Sequence, residues 1–528
     1  MSQENYSHIS KYARHFFSGT LLSRISGMIR DVSMAAVFGD HPSVAAFMVA
    51  FRFSHFLRRL LGEGTLQSIL IPRYEELKIL DEQKANGFFF RLYLLMTLGL
   101  TCLILGVETI LRFVFPIFSN GNEILSLFAI LFPSLLFISL YGLNLSLLQC
   151  KSSFFSSSVA PLGCNAIWIA AVFLFANKPP AEAMVYLSVF TLVGFIVQWM
   201  ITLPKTSKTL ISGYKNTSSP LLSAPTEVRS LGKAAFFGLL GVAAVQINSF
   251  VDMLFAGFAD PSGPVYLWYA VRLYQLPLAL IGFACIYSIT PSIARAFKAG
   301  DLLKTQNLFS FGLKRIKLLV IPCTFAVFAL GYSSVNLLFG RGQFSEDAVM
   351  KTTYCLLAYG AALLPSTLVI YRSSLFYAEG DSKTPMWGSI LSIVLNVALN
   401  AVCVFVFHLG AISVAIGTSV SAFANYFILE SLYMKKNPGK ISSKTGSVFL
   451  KISLVGLLSY VACTAFDPVF FRSFPPIRSL SYQLSHFLSL FSVFTITFTL
   501  SLRLLYKELY ILIKGFVFSK QTESQGNF

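Results

Sequence analysis

The sequence predicts an all-α polytopic membrane protein of about fourteen transmembrane helices. Two six-helix lobes, related by a pseudo-two-fold axis along the membrane normal, are followed by two further C-terminal helices. Three observations carry this prediction. The 528 residues are 55% hydrophobic and only 12% charged, with a mean hydropathy of +0.69, whereas a soluble domain is about 25% charged. Fourteen stretches approach the roughly 20 apolar residues that a membrane helix needs. Finally, residue pairs recur at one offset of 220: Phe38 and Phe258, Asp40 and Asp260, Ala50 and Ala270, Arg52 and Arg272, Gly62 and Gly282.

The expected spans run over 16–38, 43–71, 88–113, 123–149, 157–177, 183–203, 231–257, 265–292, 316–339, 352–378, 386–407, 410–434, 447–466 and 482–506. The polar N-terminus, MSQENYSHISKYARHFF, lacks the apolar core and small-residue cleavage site of a removable signal, so the first span is expected to be retained. Lys and Arg concentrate in alternate connections, from Arg73, Lys78 and Lys84 through Lys205, Lys208 and Lys215 to Lys435, Lys436 and Lys440. The opposite connections carry few, which places both termini in the cytoplasm. The Ser-, Thr- and Pro-rich stretch 204–230 reads as a cytoplasmic linker between an N-lobe (1–203) and a C-lobe (231–434). Six spans per half is an even number, so the halves share orientation, as in the parallel repeats of many transporters. Pro72 and Pro291 close the matched stretches one residue out of register. Spans thirteen and fourteen (447–506) fall outside the repeat. The cytoplasmic tail 507–528, with YKELYILIKGFVF at its start, has the apolar and lysine mixture of an interfacial segment.

Composition also excludes. The formal charge of +18 arises from residues flanking apolar spans, which reads as membrane topology and not as a nucleic-acid surface. The eight cysteines form no CxxC, most lie in apolar spans, and the six histidines are scattered. No GxxxxGK[ST], HExxH or GxSxG motif occurs. An enzyme is not expected, and neither is a bound organic cofactor.

The informative residues are charges inside spans. Span one contains SRISGMIRD, with Arg24, Arg30 and Asp31; span two contains AFRFSHFLRRLLGEG, with Arg52, Arg58, Arg59 and Glu63. Span eight adds Arg272 and span seven Asp252. Six arginines stand against three carboxylates. Their insertion costs roughly 15–20 kcal/mol before pairing, so they face water, pair internally or meet a ligand. Arg24 and Arg52 also have the option of snorkelling to an interface, and Arg58 of pairing structurally. Guanidinium stays charged and forks onto phosphate or carboxylate oxygens, so a net basic cluster suits a diphosphate better than a neutral sugar or a cationic drug. A second constellation is Asp252, Asn396, Asn400 and Thr418. It offers oxygen ligands with one formal charge, which suits sodium; the alternative is that the asparagines hydrogen-bond neighbouring helices.

Four stretches, SRISGMIRD, FLRRLLGEG followed by IPRYEE, AVRLYQLPLALIGFACIYSITPSIARAF, and FYAEGDSKTP, resemble the MurJ (MviN) lipid II flippases of the multidrug and polysaccharide exporter superfamily. The likeness runs in order through spans one to twelve. It implies a chain of the bacterial inner membrane that carries lipid II, the undecaprenyl-pyrophosphate-linked peptidoglycan precursor, to the outer leaflet. It places the family's cavity arginines on Arg24, Arg30, Arg58 and Arg272, with Asp31 beside Arg30 and Glu63 as the acid of the RRxxxEG pattern. The family's sodium site falls on Asp252, Asn396, Asn400 and Thr418, and its lipid-tail groove on the last two spans. Membrane lipids are the other expected partners, nucleic acid is not one, and the chain is expected to act as a monomer. Where many relatives have acids, this chain has Ala45, Val271 and Gln275, so the resemblance implies a more positive cavity with no titratable group for proton coupling at those positions. Rival readings are an exporter of drugs or another polyprenyl-linked oligosaccharide, an intramembrane polyprenyl-phosphate enzyme, and a scaffold that binds lipid II without moving it.

Overall fold

The computed structural model describes residues 3–61, 65–114, 123–151, 153–215, 246–436, 446–471 and 479–518, and among these no strand occurs. The helices of the first part are α1 (Gln3–Phe38), α2 (Pro42–Leu61), α3 (Thr65–Leu80), α4 (Glu82–Val114), α5 (Glu123–Leu131), α6 (Ser134–Cys150), α7 (Phe154–Leu174), α8 (Pro180–Lys215) and α9 (246–259). There follow α10 (Gly263–Pro277), a π-helical turn (Leu278–Gly282), α11 (Phe283–Lys298), α12 (Leu302–Phe339), α13 (Glu346–Ala361), α14 (Leu363–Ala378), α15 (Lys383–Phe405) and α16 (Ile412–Lys436). The chain ends with α17 (Gly446–Phe471), α18 (Leu480–Leu505) and α19 (Lys507–Phe518).

The all-helical architecture is the one expected, because inside hydrocarbon every backbone N–H and C=O must be satisfied within its own segment. Among the described residues, nine helices or helix runs are long and apolar enough to cross a membrane, or ten if the bent α5–α6 pair counts as one span. Fourteen is not reached on that criterion. Arg24, Arg30 and Asp31 lower the hydropathy of α1, and the apolar parts of α2 (Pro42–Ser54) and α7 (Ser158–Leu174) are short. The bend between α5 and α6 is 41° and falls at Pro133, whose missing N–H and ring break the helical ladder.

Two units divide the chain: Met1–Gly257 with Gly342–Phe344, and Phe258–Arg341 with Ser345–Phe528. In the first, α7 lies against α1 and α8, and α8 also meets α4 and α6. Its core joins Leu70, Tyr74 and Leu77 of α3 to Phe88 and Phe89 of α4 and to Leu143 and Leu147 of α6. Asn144 donates to Thr202 Oγ1 at 2.8 Å and so ties α6 to α8 by a polar pair that hydrocarbon strengthens. Two boundaries differ from the sequence expectation. α8 stays helical to Lys215, past the linker start expected at 204. α9, expected in the second lobe, lies in the first unit as far as Gly257, where Phe250 packs on Phe53 and Phe56 of α2 with centroids 4.7 and 6.4 Å apart.

In the second unit α11, α12, α14 and α16 share a core that includes Ile289, Ile293, Phe309, Ile316, Tyr371 and Leu429. The Tyr371 ring stacks on Phe309 at 4.8 Å and its hydroxyl donates to the Phe309 carbonyl at 3.1 Å. α17, α18 and α19 gather on α12 through Ile452, Val455, Leu502 and Leu509.

The repeat appears as the same local design twice: α1, a short turn and α2; then α9, a short turn and α10. The turns are built differently. The first uses Gly39 at φ +62, while in the second Asp260 accepts the Ser262 N–H at 2.9 Å. A Cβ on Gly39 would overlap the Gln343 carbonyl, and one on Gly342 (φ +58) would overlap the Ala36 carbonyl. Between them the Gln343 N–H donates to that Ala36 carbonyl at 2.9 Å. Gly39→Ala and Gly342→Ala should therefore each cost about 1–3 kcal/mol from the left-handed backbone alone. A lowered thermal midpoint of the purified protein in detergent would register it.

Candidate functional site

Span-one chemistry centres on Arg30. Its side chain is buried at 9% exposure on the face of α1 that meets α7. Nε and Nη2 both donate to Asp31 Oδ1, at 3.0 and 2.8 Å, and Nη1 donates to Asn165 Oδ1 at 3.2 Å. Asn165 Nδ2 in turn donates to Ser26 Oγ at 2.7 Å, which ties α7 back to α1. The guanidinium lies 4.5 Å from the ring centroid of Trp168, one turn beyond Asn165 on α7. Trp168 is clamped edge-on by Phe47 and Phe51 of α2 at 5.2 and 4.9 Å. Arg30 is thus neutralised by its sequence neighbour, held by an amide and faced by an indole.

The other predicted arginines stand differently. Arg24 is exposed on α1, and Arg52 is half-buried on α2 and engaged by its surroundings. Glu63 and the side chains of Arg58 and Arg59 lie outside the described residues. In the second unit Arg272 sits half-buried on α10 with its guanidinium 4.6 Å from the ring of Trp268, one turn earlier on the same helix. Val271 and Gln275 flank it.

Asn396 and Asn400 are buried one turn apart on α15, and both side-chain oxygens point at Gly417 of α16. A Cβ there would overlap Asn400 Oδ1 and stand 3.0 Å from Asn396 Oδ1. Thr418 Oγ1 donates to the Val414 carbonyl at 3.0 Å. Asp252, on α9, is buried and accepts from Asn248 Nδ2 at 3.3 Å; it belongs to the first unit, the other three residues to the second.

Sequence reasoning missed a further buried pair. Arg372 of α14, 3% exposed, forms an ion pair with Glu430 of α16 and is sandwiched between Phe309 at 4.6 Å and Tyr433 at 4.7 Å. A single Arg in span ten and a single Glu in span twelve were the available signal, since an ionisable residue in a span is a site hypothesis by default. Toward the end of the same helices, Tyr433 donates to Glu379 at 3.1 Å and Lys436 reaches Glu379 and Asp381, each at 3.3 Å. This is what the FYAEGDSKTP stretch does structurally. Asp381, in the connection, has its carboxyl held below the usual carboxylate range, chiefly by the Thr384 backbone N–H. Asn165 was missed too, although an amide in an apolar span invites the same question.

A family model described as Lipid II flippase MurJ matches residues 34–478. The chain belongs to the MurJ family. It is 32% identical over 443 residues to a probable lipid II flippase MurJ of Chlamydia muridarum, covering 81% of this chain and 79% of that one. Against the Vibrio cholerae protein of the same description the identity is 30% over 437 residues, covering 78% and 80%. The structure resembles a lipid II flippase MurJ in an inward closed conformation with a TM-score of 0.75 at 23% identity, over 94% of this chain and 99% of that one. It also resembles an inward-facing multidrug resistance MATE transporter of the MOP superfamily with a TM-score of 0.65 at 14% identity, over 81% and 100%. At these identities the two structures speak for the fold alone. This MurJ-family chain is accordingly a multi-pass membrane protein of a flippase and transporter family.

In this MurJ-family chain Arg30→Ala removes both hydrogen bonds that the guanidinium gives to the buried Asp31 and should destabilise by about 3–5 kcal/mol. Arg30→Met combined with Asp31→Leu should recover most of that loss, because the charge and its partner leave together. Thermal unfolding of the three proteins in one detergent separates the two cases.

Proposed function

We propose that the chain carries lipid II from the cytoplasmic to the outer leaflet of the bacterial inner membrane, with both termini cytoplasmic. The family match across residues 34–478 carries the reading. The basic spans supply its chemistry. The precursor's pyrophosphate lies where its head joins the lipid tail, and guanidinium is the side chain that pairs bidentately with phosphate oxygens. Arg24, Arg30, Arg58 and Arg272 receive that group, with Arg52 and Arg59 adding positive potential. Asp31 holds Arg30 while no anion is present, and Glu63 is proposed to do the same for the span-two arginines. The undecaprenyl tail remains in lipid along α17 and α18.

Transport proceeds by alternating access: the two lobes expose the arginines first to one side and then to the other. A cationic site that changes exposure couples to membrane potential at about 2.3 kcal/mol per charge per 100 mV. Sodium at Asn396, Asn400, Thr418 and Asp252 is the second candidate for the driving force. A drug exporter of the same fold would favour a net acidic aromatic lining, whereas the ionisable residues in spans one, two and eight are net basic.

Arg272→Ala should abolish precursor translocation while membrane insertion and yield stay near wild type. Leaflet-resolved labelling of lipid II after depletion of the endogenous flippase measures it, and full translocation by the variant would remove the arginine from the mechanism. For the cation, sodium in place of choline should raise the melting temperature of the wild-type protein but leave Gly417→Ala unmoved, since a methyl there displaces both asparagine oxygens.

A further inference from the structure

The chain has four tryptophans, and two of them lie under arginines assigned to the anion. Trp168 faces Arg30 across a helix pair at 4.5 Å, and Trp268 faces Arg272 from one turn earlier in the same helix at 4.6 Å. Both indoles are buried. Nε1 of Trp168 is buried without a hydrogen-bond partner among the described residues, although a buried indole N–H ordinarily finds one. What the ring contributes there is its face. A second helix clamps that ring through Phe47 and Phe51, so its orientation is fixed independently of Arg30.

We infer that Trp168 and Trp268 are positioning residues for pyrophosphate recognition: each indole covers one face of a guanidinium, so that the donor edge is what an incoming diphosphate meets. The inference rests on the anion role given to Arg30 and Arg272 above. An indole face attracts a cation without offering an acceptor, so it stabilises the charge in an apolar span without itself taking up a donor. Asp31 stabilises Arg30 by occupying donors, which an anion must displace. Fixing the planar fork beforehand also reduces the side-chain entropy lost when the ligand binds.

The test is titration of the purified full-length protein in detergent with farnesyl diphosphate, using farnesol as the uncharged control, and reading tryptophan emission together with affinity. The wild type should change emission with the diphosphate and not with farnesol. Trp268→Leu should bind about tenfold more weakly, a loss in the range a desolvated cation–π contact supplies. Trp268→Phe keeps an aromatic face and should restore affinity to within about threefold of wild type, while losing part of the emission change. Arg272→Ala should lose both affinity and the emission change. Trp168→Phe and Trp168→Leu repeat the comparison on Arg30, and Trp268 decides the matter if the more deeply packed Trp168 variants fail to fold. If Trp268→Leu binds like wild type while Arg272→Ala is weakened, the positioning role is overturned and the arginine site stands. If Arg30→Met/Asp31→Leu and Arg272→Ala both bind like wild type, the anion site itself is overturned, and the tryptophans with it.

Discussion

The organising constraint in this protein is the cost of keeping guanidinium charged within apolar helices. Each buried arginine costs a few kcal/mol on insertion, and the surroundings must return that or the segment will not stay in the bilayer. Arg30 and Arg372 meet the cost in the same way, in separate units: one carboxylate for the charge and aromatic rings for the face. Around each, two helices are drawn together: α1 with α7 in one case, α14 with α16 in the other. Buried ion pairs of this kind add little net stability against an apolar replacement, and their best-attested use is to fix a register. Here they determine which helix faces meet.

That distinction separates the arginines by task. Arg372 is enclosed by α14, α16 and a ring from α12, and it reads as architecture. Arg24 is exposed on α1, and Arg272 stands half-buried over an indole. Arg30 lies between the two conditions, fully buried yet holding its carboxylate partner on the adjacent residue. A neighbour-in-sequence pair can part by a side-chain rotation alone, with no helix having to move. This is the freedom that the anion exchange proposed for Arg30 requires.

Much of this was legible in the sequence because membrane helices obey few rules. Apolar runs of the right length located most helices, and the 220-residue offset anticipated the repeated helix–turn–helix around Gly39 and Asp260. Charges in spans marked Arg30, Asp31 and Arg272 as residues needing an explanation. What stayed hidden depends on tertiary proximity. Nothing in the linear order joins Asn165 to Arg30 or Glu430 to Arg372, since helical periodicity relates residues only within a single helix. The extent of α8 was obscured because Lys and Thr beyond Pro204 look like a linker, although the backbone continues helically through them. That Phe250 of α9 packs on Phe53 and Phe56 of α2 was equally hidden, because the two helices lie about 200 residues apart in sequence.

The π turn at Leu278–Gly282 bears on the imperfect repeat. The matching prolines, Pro72 and Pro291, are separated by 219 residues and not 220, so the two copies differ by one residue just beyond the place where the second winds irregularly. A helix cannot absorb such a slip silently, because one residue turns everything beyond it through about 100°. A π turn winds more slowly than an α-helix, so it adds to that rotation and does not cancel it. Ile286, Ile289 and Ile293 nonetheless lie in the core shared with α12, α14 and α16. The orientation of α11 therefore answers to the neighbours it packs against, and the inherited repeat has no hold on it.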